Sequence, residues 1–171
     1  MRRICCLAAL ALAIGSAALA GGPKATARSA MALFAEHCFS PVLTAKKARK
    51  AFALSGMTYN FYDLDPFSKV APSPAMTTVT PGTDRRCEVS FAGDHAKSAA
   101  EAAMSALAHE MIFTPAALPA NFTPTETTTL LAARKLNPRR VAVVHVGTRE
   151  GARGVETFMS VHRLLPTQGD G

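Results

Sequence analysis

The sequence predicts an α+β fold: a mainly antiparallel sheet of about four strands, helices packed on one face, and one disulfide. Three observations carry this expectation. Helical spacing of apolar residues dominates before residue 57 and returns once, in an Ala-rich stretch that starts near residue 96. Strand patterns separated by turn signals then run together from 127 to 164. Strands and helices do not alternate throughout, as a doubly wound nucleotide fold requires.

The chain opens on Arg2-Arg3 and an apolar run from Ile4 that closes on Ala18-Leu19-Ala20. That order is a secretory signal peptide, with small side chains where the peptidase accepts only small ones. The run is short and weakly apolar for a bilayer span, which needs about 20 residues. We expect 1–20 to be removed, 21–28 to be a mobile start, 29–165 to form one domain and 166–171 to be a mobile tail. The product is then periplasmic or secreted, with no transmembrane span after cleavage.

The first helix is read from Ser29, where Met31, Leu33, Phe34, Cys38 and Val42 recur at helical spacing until Pro41 ends or kinks it. Thr44 is the N-cap of a second helix, with Ala45, Ala48, Ala51 and Phe52 on one side and Gly56 just past its end. Tyr59, Phe61, Tyr62 and Phe67 mark an extended strand or loop against the core, and the Pro-, Ser- and Thr-rich 71–82 is a surface crossing. In 86–91 the residues alternate, so Cys87, Val89 and Phe91 share one face of a strand. After Gly93, Asp94 caps a helix with an apolar stripe of Ala96, Ala99, Ala100, Ala103, Met104, Leu107 and Met111. Strands follow at 127–136, 141–146 and 155–164, with a turn at Asn137-Pro138 and a longer one over 147–154.

Composition limits the function. The 171 residues hold 19 Lys and Arg against 12 Asp and Glu, a net charge of +7. Loss of Arg2 and Arg3 with the leader leaves 17 basic residues and a net charge near +5. An exported basic protein meets anionic envelope surfaces and not nucleic acid. Cys5 and Cys6 leave with the leader, and Cys38 and Cys87 remain as an isolated pair, most simply a disulfide in an oxidising compartment. A redox pair or a thiolate metal site lacks its C-x-x-C spacing. Closing a loop of about 50 residues removes unfolded-state entropy worth roughly 4 kcal/mol.

The helix with Phe34 and Cys38, the alternating strand with Cys87, the Ala-rich helix and the closing strands from Val141 together resemble small uncharacterised secreted proteins of alphaproteobacteria. The resemblance spans 29–165. It implies export and a disulfide layout of this kind, and it brings no activity.

Several constellations invite a functional reading. Gly147-Thr-Arg-Glu-Gly151-Ala-Arg-Gly154 lacks the Lys-Ser/Thr end of a phosphate loop and precedes a strand, so it reads as a hairpin turn. His37 and Cys38 diverge by about 100° on a helix and cannot act as base and nucleophile. No G-x-S-x-G elbow or H-E-x-x-H zinc helix occurs. His109-Glu110-Met111 is locally dense, but its side chains diverge, and no metal or other cofactor is implied. Asp63 and Asp65 share a side if the segment is extended, with Tyr59 and Tyr62 nearby, which makes them candidate ligand-cleft residues. Lys46, Lys47, Arg49 and Lys50 lie together opposite Ala48, Ala51 and Phe52, a basic face for an anionic surface.

The function expected from these features is non-enzymatic binding of a protein partner or an anionic envelope component by a disulfide-stapled domain. The alternative is an envelope hydrolase or small-ligand-binding enzyme with a dispersed site. A cleft holding a His and a carboxylate within hydrogen-bond reach would favour the enzyme, and an exposed basic face the binder.

Overall fold

In the computed structural model, the structure describes residues 23–53, 55–64, 83–125 and 127–164. Within the first helix, side chains are described from residue 26 onward. Element order is α1 (Pro23–His37), α2 (Ala45–Phe52), β1 (Thr58–Asp63), β2 (Thr83–Ala92), α3 (Ala96–His109), β3 (Thr128–Asn137), β4 (Arg140–Gly151) and β5 (Gly154–Leu164). The strands form one antiparallel sheet in the order β1-β2-β5-β4-β3, so α3 carries the chain across the sheet and the β3–β4–β5 meander returns to β2. The fold is α+β with helices on one face, as predicted. Its sheet has five strands where about four were expected, because the aromatic run at Tyr59–Tyr62 pairs along β2 as a full strand.

The helices bury one stripe each. Ala27, Ala30, Phe34 and Cys38 follow one another at three- and four-residue steps and are all buried, which lays α1 on β2 and α3. Thr44 caps α2 by accepting the Lys47 N–H at 3.3 Å, and Ala48 and Phe52 are its buried pair. On α3 the buried residues are Ala96, Ala99, Ala103, Ala106 and Leu107. Of these, Ala99, Ala103 and Leu107 join Phe61, Cys87, Val89, Phe91, Val144, Val146 and Met159 from the sheet in one apolar core. Burying a Phe or Met side chain there contributes roughly 1.5–3 kcal/mol.

Two ties hold the α1–α2 loop to β2. Cys38 and Cys87 form a disulfide with Cα atoms 5.4 Å apart, the two half-cystines being 3 % and 1 % exposed. Two residues before Cys87, the Arg85 guanidinium donates to the carbonyls of Ser40, Pro41 and Leu43. Arg85 also meets Asp63 at 3.3 Å, while Arg163 spans Asp63 and Asp84 at 3.0 and 2.7 Å and Arg140 joins Asp84 at 2.6 Å. Burial lowers the Arg85 pKa from its ordinary value, against the attraction of Asp63.

Several expectations need correction. Helix α1 begins at Pro23 and not at Ser29, since Ala27 and Ala30 extend the buried stripe upstream; the mobile start therefore does not reach residue 28. The helix stops at His37, which leaves Val42 beyond it and 65 % exposed. Met104 and Met111 are not core: Met104 lies one step, about 100°, round from Ala103, and Met111 follows the helix end with φ 55°. The residue flanking α3 is His95, whose side chain makes no cap, although Asp94 does accept the Ala96 N–H at 3.2 Å. The long turn at 147–154 contracts to Ala152-Arg153, because β4 stays paired with β5 as far as Gly151 and Gly154 takes φ 95°. Among the described residues, no helix is long and apolar enough to cross a membrane. The leader and residues 166–171 lie outside the described residues.

Candidate functional site

The face of the sheet turned away from the helices combines a small apolar cluster of Phe122, Val141, Val143 and Leu164 with a layer of buried polar side chains. Strand alternation sends Arg86, Glu88 and Ser90 of β2 to that face because Cys87, Val89 and Phe91 point to the helices. Register then sets Ser160 of β5 beside Glu88 and His145 of β4, and His162 beside Arg86. Glu88, Ser90, His145, Ser160 and His162 are all 5 % exposed or less. The α3–β3 connection supplies part of the cover. Lys135 and Ala116 bond it to β3 through Thr114 O and Ala133 O at 2.9 and 3.1 Å. It then sets the Phe122 ring 5.6 Å from His145 and 5.1 Å from His162.

Charge and hydrogen bonding in this layer fix each group's state. Glu88 is bridged by Arg86 on its own strand and by Arg149, the latter at 2.8 Å, and Arg149 also meets Glu156 at 2.6 Å. Burial alone would raise the Glu88 pKa, but the two guanidiniums outweigh it and hold the carboxyl below its usual range. The same attraction raises Arg149 in spite of its burial. Burial lowers His145, and burial together with the Arg86 charge pushes His162 down to about 3. Both imidazoles are therefore neutral at pH 7.

The hydroxyls define the tautomers. Thr128 Oγ1 donates to the Thr125 carbonyl at 2.6 Å, so at 2.8 Å it accepts from His145 Nε2–H. Ser160 Oγ donates to the His145 carbonyl at 3.2 Å, so at 3.2 Å it accepts from His162 Nε2–H. His162 Nδ1 then carries a lone pair with no hydrogen-bond partner among the described residues. Ser160 and His162 look like a nucleophile and its base in composition, yet the proton sits the wrong way round. The serine proton is given to a carbonyl, no carboxylate meets Nδ1, and a site that stays neutral down to about pH 3 takes up no proton near neutrality.

The residues nominated from sequence are distributed differently. Lys46, Lys47, Arg49 and Lys50 are all exposed on α2, and among the described residues none of them pairs with a carboxylate. Lys47 Nζ donates to the Val42 carbonyl at 3.1 Å. The proposed Tyr59, Tyr62, Asp63 and Asp65 cleft does not assemble. Tyr59 opposes Val89 and packs on Phe52 with the helices, whereas Tyr62 opposes Arg86 on the other face and is fully buried. Asp63 is consumed by Arg85 and Arg163, and Asp65 lies outside the described residues. His109 is 86 % exposed at its side chain and, among the described residues, lies against Glu110 at 3.5 Å. Among the described residues no three His, Cys, Asp or Glu groups come together in a set that could hold a metal ion.

Sequence reading missed the polar layer. The alternation in 86–91 placed Cys87, Val89 and Phe91 on one face and gave no role to the residues between them, and the meeting of His145 with Ser160 depends on strand register that no local spacing reports. No protein-family model matches the chain, and neither a curated protein nor a solved structure matches it.

Proposed function

We propose that the chain is an exported, non-enzymatic binding domain whose α2 presents a basic face to an anionic envelope surface. The observation that carries this reading is the exposure of Lys46, Lys47, Arg49 and Lys50 on one short helix, without acidic partners among the described residues. The disulfide is in keeping with an oxidising compartment, and the leader with export. The neutral, reversed Ser160–His162 pair and the doubly clamped Glu88 support binding over hydrolysis, since neither exchanges a proton near pH 7.

The test is co-sedimentation with vesicles carrying anionic headgroups, for the wild type and a Lys46→Glu, Lys47→Glu, Lys50→Glu variant. Each cation near such a surface contributes about 1 kcal/mol, so the variant should bind at least a hundredfold more weakly at low salt. Physiological salt should weaken the wild type, because charges farther apart than about 8 Å are screened. Equal binding by the two proteins, or none by either, refutes the reading.

A further inference from the structure

A second feature stands beside α2, at the end of the molecule where the α1–α2 loop meets the chain leaving α3. Pro41 of the loop and Ile112, just past α3, line the same cleft there. The large apolar side chains next to both are exposed. Val42 follows Pro41 at 65 % exposure, and Met111 and Phe113 flank Ile112 at 78 % and 62 %. Isolated apolar side chains on a surface are ordinary, but three large ones around one opening mark a surface that is covered in use. The backbone beneath them is fixed. The Ile112 N–H bonds to the Leu107 carbonyl at 3.0 Å and the Met111 N–H to the Ala108 carbonyl at 3.1 Å, with Met111 at φ 55°, a helix closure that folds Ile112 inward and leaves its two neighbours outside. The Thr114 carbonyl then accepts from the Lys135 N–H at 2.9 Å, and Arg85 holds the carbonyls of Pro41 and Leu43 on either side of Val42.

Charge next to these side chains says what covers them. Lys47 Nζ donates to the Val42 carbonyl at 3.1 Å, which sets the basic side of α2 against the apolar group. Lys46, Lys47, Arg49 and Lys50 are exposed, and none pairs with a carboxylate among the described residues; Glu110, on the cleft wall, is one acid beside four cations. Cations bordering exposed apolar side chains suit a membrane interface, with the charges at the headgroups and the apolar groups about 5–10 Å deep at the acyl boundary. An acyl phase has no fixed shape to match, so separate projections such as Val42, Met111 and Phe113 suit it better than a packed protein interface. We propose that Val42, Met111 and Phe113 insert into the acyl boundary of an anionic bilayer while α2 lies on its headgroups. The approach to the surface rests on the basic-face reading above; insertion adds a share of the binding that salt does not screen.

The sequence holds no tryptophan, so Phe113→Trp provides a single fluorescent reporter at an exposed site. Intact, oxidised protein carrying it is mixed with vesicles of phosphatidylglycerol and phosphatidylcholine. Its emission should shift to the blue on binding and be quenched by lipids brominated near the headgroup end of the acyl chain. In the absence of the reporter, Met111→Ser with Phe113→Ser should weaken vesicle binding at least tenfold at low and at high salt alike, since the lost term is apolar area. The Lys46→Glu, Lys47→Glu, Lys50→Glu variant should instead differ from the wild type at low salt and approach it at ~1 M, where charges more than about 3 Å apart are screened. Vesicle binding with unshifted, unquenched emission, or a double serine variant that binds like the wild type, would overturn insertion and leave the basic face standing. Quenching that persists at low salt in a Phe113→Trp protein carrying the three Glu substitutions would remove the basic face and leave insertion. No vesicle binding by the wild type would remove both. A blue shift that grows with protein concentration in the absence of vesicles would assign the apolar group to a second copy and equally overturn the proposal.

Discussion

His162 makes a quantitative acid sensitivity. In the unfolded chain its imidazole titrates near 6.5, and in the folded protein at about 3, through burial and the neighbouring Arg86. Above pH 6.5 both states are neutral and the group contributes nothing to the pH dependence. Between 6.5 and 3 the unfolded chain binds a proton that the folded one refuses, so stability falls as pH falls. At pH 5 the linkage amounts to about 2 kcal/mol, growing to nearly 5 kcal/mol below pH 3. His145, lowered by burial, acts in the same direction. Glu88 is lowered too, but its stabilisation is lost only below the ordinary carboxylate value of 4.5, outside a comparison between pH 7.5 and 5.

Urea unfolding of the wild type and His162→Gln at pH 7.5 and 5.0 isolates the effect. Glutamine keeps a donor for Ser160 and cannot titrate, and His145 is common to both proteins. The wild type should lose about 2 kcal/mol more than the variant on acidification, roughly a 1 M fall in midpoint at a slope near 2 kcal/mol/M. Titration of the wild-type imidazole by NMR covers the case in which the variant fails to fold. Equal losses in the two proteins, or an imidazole that titrates near 6.5 in the folded state, would refute the assigned burial and tautomer.

Two further perturbations probe the frame. Removing the disulfide by Cys38→Ala with Cys87→Ala should lower unfolding free energy by about 2–5 kcal/mol in chemical denaturation, since it releases a loop spanning 49 positions; unchanged stability would contradict the pairing. Gly147→Ala places a Cβ 2.4 Å from the Thr127 carbonyl oxygen and 3.1 Å from the Phe158 ring, so it should cost about 1–3 kcal/mol, and a neutral thermal shift would show that the backbone approach is looser than described.

Those positions also show what was legible in the sequence. Local signals held where one residue's chemistry acts on its own neighbours: Thr44 capping α2, the alternation that turns Cys87 inward, and the basic side of α2. The pairing of Cys38 with Cys87 was inferable because both thiols sat on inward faces. Expectations failed where a tertiary distance decided. Gly147 looked like a turn residue, yet it stays in β4 because Thr127 and Phe158 leave no room for a side chain. Met104 and Met111 fitted the period of α3 by hydrophobicity, but alanines fill the helix–sheet interface and the methionines stay at its margin. Tyr59 and Tyr62 are three residues apart, and in a strand an odd separation sends them to opposite faces.

The two faces of the sheet divide the possible work of this domain. On the helix side the interior is mainly apolar, and it is fastened by the disulfide and by Arg85, whose guanidinium is shared between loop carbonyls and Asp63. On the other side a small apolar cluster of Phe122, Val141, Val143 and Leu164 lies beside a buried polar layer, in which His162 Nδ1 and Arg86 Nε have no hydrogen-bond partner among the described residues. Its carboxylate is neutralised by two arginines and its imidazoles are neutral. A layer of paired charges and neutral imidazoles of this kind rigidifies the sheet. Among the described residues, cations without a carboxylate partner and an exposed apolar side chain coincide at α2 and the loop before it, where Lys46, Lys47, Arg49 and Lys50 stand beside Val42. The disulfide and Arg85 anchor that same loop to the centre of the sheet, so the fold sets its position. Reduction of the disulfide should therefore weaken the vesicle binding proposed for α2 before it unfolds the sheet, since the loop depends on the tie and the β2–β5–β4 ladder does not.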